Sequence, residues 1–272
     1  IVALGTSAPE LVVSINAVFK GSPDLAWGNV VGSNIANLLL VIGGASLFIT
    51  LKDESKSLRL DVFWMILSTT IIFIFGYYYQ GLSPFIGFLL ILSLIFILIL
   101  MTISTEKNEE FHDDNNSNNY FSPVIVGLFF TFSGIVIVLI SSEILINSAI
   151  KISIDLGIEE SLIGVTIVAL GTSLPEIAAS VAAARKGYAD IAIGNVLGSN
   201  LFNSLGILGA ASIASYPINL QTPSSFLGYD LPVMMLVTII LGAYLFYFKS
   251  INRKFGPFLL LLYMVYILIN FA

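Results

Sequence analysis

ALGTSAPELVVSINAVFKGSPDLAWGNVVGSNIANLLLVIGGAS, residues 3–46, recurs as ALGTSLPEIAASVAAARKGYADIAIGNVLGSNLFNSLGILGAAS, residues 169–212. The two copies align without a gap, Ala3 with Ala169 and Ser46 with Ser212, and about half of their positions are identical. An internal repeat of this strength governs the reading of the whole chain. The identities fall on polar residues, glycines and prolines, in GTSxPE and GNVxGSNxxN, while the apolar positions between them drift among Val, Ile, Leu and Ala. A repeated core would keep the apolar positions, so this pattern reads as a repeated site. Each copy carries one acid inside an apolar run, Glu10 and Glu176, directly after Pro9 and Pro175. An acid in such a run marks a functional site by default.

Composition sets the class. The chain is 57% hydrophobic and only 10% charged, with a mean hydropathy of +0.97. That is a polytopic membrane protein, not a soluble domain. It has no cysteine and a single histidine, His112, which excludes thiolate and multi-histidine metal sites. No nucleophile–base pair, cofactor motif or nucleic-acid signature stands out, so the chain reads as neither an enzyme nor a cofactor protein, and nothing in it names a protein partner.

Apolar runs of roughly 20 residues are long enough to cross a bilayer as helices. Nine are visible, approximately at 1–19, 26–50, 58–79, 84–103, 123–150, 160–184, 189–213, 229–248 and 255–271. The polar segment 104–122 divides the first unit, 1–103, from the second, 123–272, and its composition suits a solvated linker. The first copy of the repeat begins on span one and the second on span six. Five crossings separate them, so the copies run in opposite directions: an all-α fold of two inverted-topology repeats. The second copy is preceded by an apolar span that has no counterpart ahead of the first, so a further helix is expected upstream.

Basic residues orient the chain. One set of alternate loops holds Lys52, Lys56, Arg59, Lys107, Arg185, Lys186, Lys249, Arg253 and Lys254; the other holds Lys20 and Lys151. By the positive-inside rule, the linker is expected in the cytoplasm and the C-terminus outside, in a plasma or inner membrane. Asp61 and Asp230 open equivalent spans and are expected to cap them, as are Asp24 and Asp190. Gly28, Gly32, Gly194 and Gly198 read as helix-packing positions, and Glu143 either reaches the outer interface or belongs to a site. His112, Asp113 and Asp114 read as part of the solvated linker.

Inverted repeats with interrupted helices build ion sites near the membrane midplane. Pro9 and Pro175 cannot donate to the carbonyls of Gly5 and Gly171, which opens both helices there. Helical spacing gathers Thr6, Ser7 and Glu10 on one face, and Ser33 with Asn37 on another. Thr172, Ser173, Glu176, Ser199 and Asn203 repeat the pattern. Oxygen donors without nitrogen or sulfur select hard cations, and Ca2+ accepts such a flexible cage better than Mg2+. Without a cation or proton between them, two carboxylates about 4 Å apart repel by roughly 4 kcal/mol at an effective dielectric of about 20. The site therefore favours a carrier that crosses loaded, which is obligatory exchange.

GTSAPE with GNVVGSNIAN, and GTSLPE with GNVLGSNLFN, resemble the two signature repeats of the sodium/calcium exchanger branch of the calcium/cation antiporter family. That resemblance implies ten helices in two inverted sets of five, and exchange of several Na+, typically three, for one Ca2+. Carried over by motif position, it implies Ca2+ held by Glu10, Glu176 and the backbone oxygens of Thr6 and Thr172. It adds Ala3, Ser7, Ser33, Ala169, Ser173 and Ser199 at Na+ positions, with Asn37 and Asn203 lining the centre. Several members, potassium-dependent ones included, carry Asp where this chain has Asn203, which argues against potassium dependence. A proton/calcium antiporter is the rival reading, although that branch places an acid within its GNxxE-type motif. A calcium channel would use acids without coupling.

Overall fold

The computed structural model describes residues 2–55, 57–106 and 121–271. His112, Asp113, Asp114, most of the expected linker, Lys56 and Lys107 lie outside the described residues. The chain is helical nearly throughout. Helix α1 (Val2–Thr6) stops at Ser7 and restarts as α2 (Ala8–Phe19). Then come α3 (Pro23–Ser46), α4 (Leu58–Tyr78), α5 (Pro84–Glu106) and α6 (Phe121–Leu156). The second half runs α7 (Glu160–Thr172), α8 (Leu174–Arg185), α9 (Ala189–Ala214), α10 (Ser224–Gly228), α11 (Asp230–Phe248) and α12 (Gly256–Asn270). Four two-residue strands lie between helices: β1 (Leu51–Lys52), β2 (Gly81–Leu82), β3 (Leu220–Gln221) and β4 (Ser250–Ile251).

Seven described helices are long and apolar enough to cross a membrane, and α7 with α8 forms a bent eighth candidate. The expected first span is the exception. Its described part is the interrupted pair α1–α2, of which Ala8–Phe19 is apolar but short. The exposed face of the bundle is apolar, with Phe63, Phe85, Leu92, Phe96, Ile99 and Leu261 turned outward. Only a bilayer makes that surface favourable. Exposed aromatic residues gather at helix ends, Tyr77 to Tyr79 at the end of α4 and Tyr247 with Phe248 at the end of α11, the composition of a membrane interface.

Helices α3 and α9, the second helix of each repeat copy, occupy the centre. Their most apolar windows are 94% and 78% buried, against 33% or less in the five other long helices. Small residues make this possible. A Cβ on Gly28 would sit 2.7 Å from the Gly164 Cα, and one on Gly32 would collide with the Val165 carbonyl oxygen and the Ala169 Cβ, so α3 and α7 touch backbone to backbone. Gly194 differs from the packing expectation, since nothing lies within 4 Å of its would-be Cβ and it borders a cavity beside Val2, Ala3 and Leu4.

The halves interlock. Helix α4 packs on α11, α5 on the end of α9, and α12 on the end of α3. Leu51 pairs with Ile251 and Gly81 with Gln221 in antiparallel two-residue ladders, so loops far apart in sequence share the same end of the bundle. Asp230 does not cap its helix as expected. It is buried and accepts a 2.7 Å hydrogen bond from the Tyr266 hydroxyl, because α12 brings that hydroxyl beside the start of α11 and gives the carboxylate a donor away from water. Asp24, Asp61 and Asp190 lie in the first turns of α3, α4 and α9 without a side-chain capping bond, where a carboxylate still complements the helix dipole. Glu143 is mostly exposed and pairs with Lys20 at 3.3 Å.

Replacing Gly28 with Ala is expected to destabilise the detergent-solubilised protein by about 1–3 kcal/mol through overpacking against backbone. Gly194→Ala, which meets no neighbour, is expected to leave the thermal unfolding midpoint unchanged or slightly raised. Equal midpoints for the two variants would contradict the close α3–α7 contact.

Candidate functional site

Both copies break their first helix at the same place. Ser7 (φ −85°, ψ 7°) and Ser173 (φ −79°, ψ 2°) leave helical geometry, and Pro9 and Pro175 sit in the first turn of the helix that follows. Proline suits a first turn because that turn's N–H groups have no intrahelical partner. Across the second break α7 and α8 bend by 43°. The new helix N-termini place Glu10 and Glu176 in their first turns, where the dipole favours negative charge.

The central helices are distorted at matching positions too. A π turn opens at Asn37–Val41 in α3, with the Ile42 N–H bonded to the Asn37 carbonyl, and another at Asn203–Ile207 in α9, with Leu208 bonded to Asn203. A π turn adds a residue to the helical repeat and recurs at functional sites. A third, Gly164–Val168, leads into Ala169. It lies ahead of the second copy of the repeat, at the point where α7 meets α3.

The expected residues lie within the bundle, and hydrogen bonds join the two copies at Ser7, Thr6, Thr172 and Asn37. Glu10, Ser7, Ser33, Asn37, Ser173, Glu176, Ser199 and Asn203 have no exposed surface, Ala169 and Thr172 are buried with them, Ala3 is 8% exposed and Thr6 is half-buried. The Glu10 and Glu176 carboxyl groups are close enough to repel one another, and Thr172 lies beside Glu10. Ser7 Oγ donates to Glu176 Oε1 at 2.9 Å, so the two broken helices meet directly.

Most of the polar side-chain atoms here have no partner among the described residues. Both Glu10 oxygens, Glu176 Oε2, the Ser33, Ser173 and Ser199 hydroxyls, Asn37 Oδ1 and both polar atoms of Asn203 are buried and unbonded. Burying such groups is costly unless something completes them. They are oxygens apart from one amide nitrogen, which is the donor set of a hard cation. Among the described residues no three Asp, Glu, His or Cys side chains cluster as a metal site. The charge at the centre is therefore two carboxylates supplemented by neutral oxygens, a composition suited to ions that must also leave.

Sequence reasoning missed a layer of asparagines and serines. Asn29 donates to the Glu10 carbonyl at 3.1 Å and to Ser14 Oγ at 2.9 Å, and accepts from Thr172 Oγ1 at 2.8 Å. Asn195 donates to Ser180 Oγ at 3.1 Å and accepts from Thr6 Oγ1 at 3.3 Å. Asn37 donates to Asn200 Oδ1, Asn200 to the Asn34 carbonyl, and Asn34 to Ser204 Oγ, at 3.0, 3.1 and 3.1 Å. The signal was available: Asn29, Asn34 and Ser14 are each identical to Asn195, Asn200 and Ser180 in the other copy.

A bundle of apolar spanning helices around buried, incompletely bonded oxygens defines an ion-translocating membrane protein. The sodium/calcium exchanger protein family model matches residues 1–103 and 126–272, and the chain belongs to that family of membrane antiporters. It is 34% identical to a putative antiporter, CaxA, of Alkalimonas amylolytica over 98% of this chain and 84% of that protein. It is 30% identical to the sodium/calcium exchanger MaX1 of Methanosarcina acetivorans over 100% of this chain and 87% of that one. A solved structure of the sodium-calcium exchanger NCX_Mj, soaked with Na+ and Sr2+, superposes with a TM-score of 0.72 at 28% identity, covering 97% of this chain and 82% of the other.

The two serines at the breaks are expected to behave differently. In protein freed of Na+ and Ca2+, Ser7→Ala removes a buried donor to Glu176 Oε1 and is expected to lower stability by about 1–3 kcal/mol. Ser173→Ala removes an unbonded hydroxyl and is expected to cost less. Thermal unfolding of the two variants in chelator measures the difference.

Proposed function

We propose that the chain exchanges Ca2+ for Na+ across the membrane by alternating access, exporting Ca2+ electrogenically. The observation that carries this reading is the set of buried, unbonded oxygens on Glu10, Glu176 and the serines and asparagines of both motif copies. Calcium would sit between the two carboxylates and the Thr6 and Thr172 carbonyls. Sodium would use Ser7, Ser33 and the Ala3 carbonyl from one copy, and Ser173, Ser199 and the Ala169 carbonyl from the other, with Asn37 and Asn203 at the centre. Both ions draw on one pair of negative charges, so one excludes the other and coupling follows.

The same reading takes the repeats, 1–103 and 123–272, as inverted, with nine crossings and 104–122 in the cytoplasm. Supporting it, loops assigned to one side are bonded to each other: β1 to β4 among the basic loops, β2 to β3 on the opposite side. The Lys20–Glu143 pair also joins an outer loop to span 123–150, in the part of it nearer the assigned outer end. The C-terminus is then outside, and the membrane is a plasma or inner membrane. With three Na+ per Ca2+, each cycle moves one charge, worth about 2.3 kcal/mol per 100 mV.

Calcium uptake into sodium-loaded proteoliposomes tests the proposal. Uptake is expected to require an outward Na+ gradient and to respond to membrane potential. Glu10→Gln and Glu176→Gln are each expected to reduce it at least about a hundredfold, since removing one partner from a buried charged site costs about 3–5 kcal/mol. Uptake driven by a proton gradient and indifferent to Na+ would overturn the coupling. Near-normal flux in either variant would overturn the site.

A further inference from the structure

A carbonyl oxygen offers two lone pairs. Ala169 O uses one on the Ser173 N–H at 3.0 Å, and Ala3 O uses one on the Ser7 N–H at 3.0 Å. What holds the second lone pair decides whether either carbonyl can coordinate a cation. The competitor is a threonine hydroxyl, Thr172 Oγ1 at 3.2 Å from Ala169 O and Thr6 Oγ1 at 3.3 Å from Ala3 O.

Each hydroxyl has one proton and a second acceptor within reach. For Thr172 it is Asn29 Oδ1 at 2.8 Å, and for Thr6 it is Asn195 Oδ1 at 3.3 Å. The Asn29 amide has only one workable orientation. Its other end faces the Glu10 carbonyl, which can only accept, so the nitrogen lies there and the oxygen faces Thr172. Asn195 is oriented the same way by Ser180, whose own proton is directed toward Ala192 O.

We propose that Asn29 and Asn195 are positioning residues for sodium: they draw the Thr172 and Thr6 protons away from Ala169 O and Ala3 O, leaving each carbonyl a lone pair for Na+. This rests on the reading above that the two alanine carbonyls coordinate sodium. Each asparagine serves the other half of the molecule, Asn29 the Thr172 break and Asn195 the Thr6 break, so sodium readiness on one side depends on the packing of α3 or α9 from the other. The two sides are unequal. Thr172 is closer to its asparagine than to its alanine, whereas Thr6 is equidistant. Calcium, held chiefly by carboxylates and threonine carbonyls, depends less on this proton.

The test separates sodium from calcium in the full chain reconstituted in liposomes. Half-saturation for Na+ is read from sodium-dependent calcium flux, and for Ca2+ from calcium/calcium exchange. Asn29→Ala is expected to raise the Na+ value about fivefold, the equivalent of one neutral hydrogen bond, and to raise the Ca2+ value less, through the lost bond to the Glu10 carbonyl. Adding Thr172→Val, which removes the competing proton at nearly constant shape, is expected to return the Na+ value to within about twofold of wild type. Equal shifts for both ions, or no rescue by Thr172→Val, would overturn the proposal. Should Asn29→Ala fail to fold, Asn195→Ala with Thr6→Val poses the same question in the other copy, with the same two overturning results. Wild-type flux indifferent to Na+ would instead overturn the exchanger reading and this inference with it, whereas sodium-dependent wild-type flux without the selective shift overturns this inference alone.

Discussion

Two carboxylates held side by side in the apolar interior of a membrane bundle are the constraint around which the remainder is arranged. Glu10 and Glu176 have no exposed surface, and a bilayer interior supplies no water to solvate them. The helix breaks at Ser7 and Ser173 answer this locally, because each acid then lies in the first turn of a new helix. The small residues of α3 and α9 answer it at longer range. They let the central helices approach closely enough for side chains from both repeat copies to reach one volume.

The same residues occur in both copies, yet their bonding differs. The Ser7 hydroxyl is bonded to Glu176, while the Ser173 hydroxyl and both Glu10 carboxyl oxygens have no partner among the described residues. Asn37 reaches Asn200, while the Asn203 side chain has no partner among the described residues. A pair of inverted repeats in identical conformations would present its site equally to both sides of the membrane. Inequality between the copies is what a carrier needs in order to face one side at a time. Under the proposed exchange by alternating access, the hydrogen-bond differences fall where a choice between two arrangements is needed.

The asparagines connect these features. Asn29 holds the Glu10 backbone with one end and the Thr172 hydroxyl with the other, so the spacing between the two broken helices runs through a single amide. An amide suits this place because it donates and accepts at fixed separation without adding charge. A carboxylate there could not donate to the Glu10 carbonyl, and it would add a third negative charge beside two that already repel. The charge at the centre stays at two carboxylates, and on the proposed reading selectivity is left to neutral oxygens whose availability depends on hydroxyl protons.

The sequence by itself determined the membrane class, the repeat, the location of the helix breaks and the candidate oxygens. These are local properties: hydropathy needs only a window, a proline needs only its own ring, and Glu10 is conspicuous because an acid is costly in an apolar run. The sequence also held the asparagine layer in plain view, as Asn29 and Asn34 with Asn195 and Asn200, but spacing along one helix could not say which partner they face. The tertiary structure alone decided that. Asn29 bonds across to Thr172, Asp230 turns to Tyr266 instead of capping its helix, and Gly194 faces a cavity where Gly28 meets backbone. Each of these depends on which helix lies opposite, and that is set by how all the small and large side chains pack together, a property no single stretch of the chain contains.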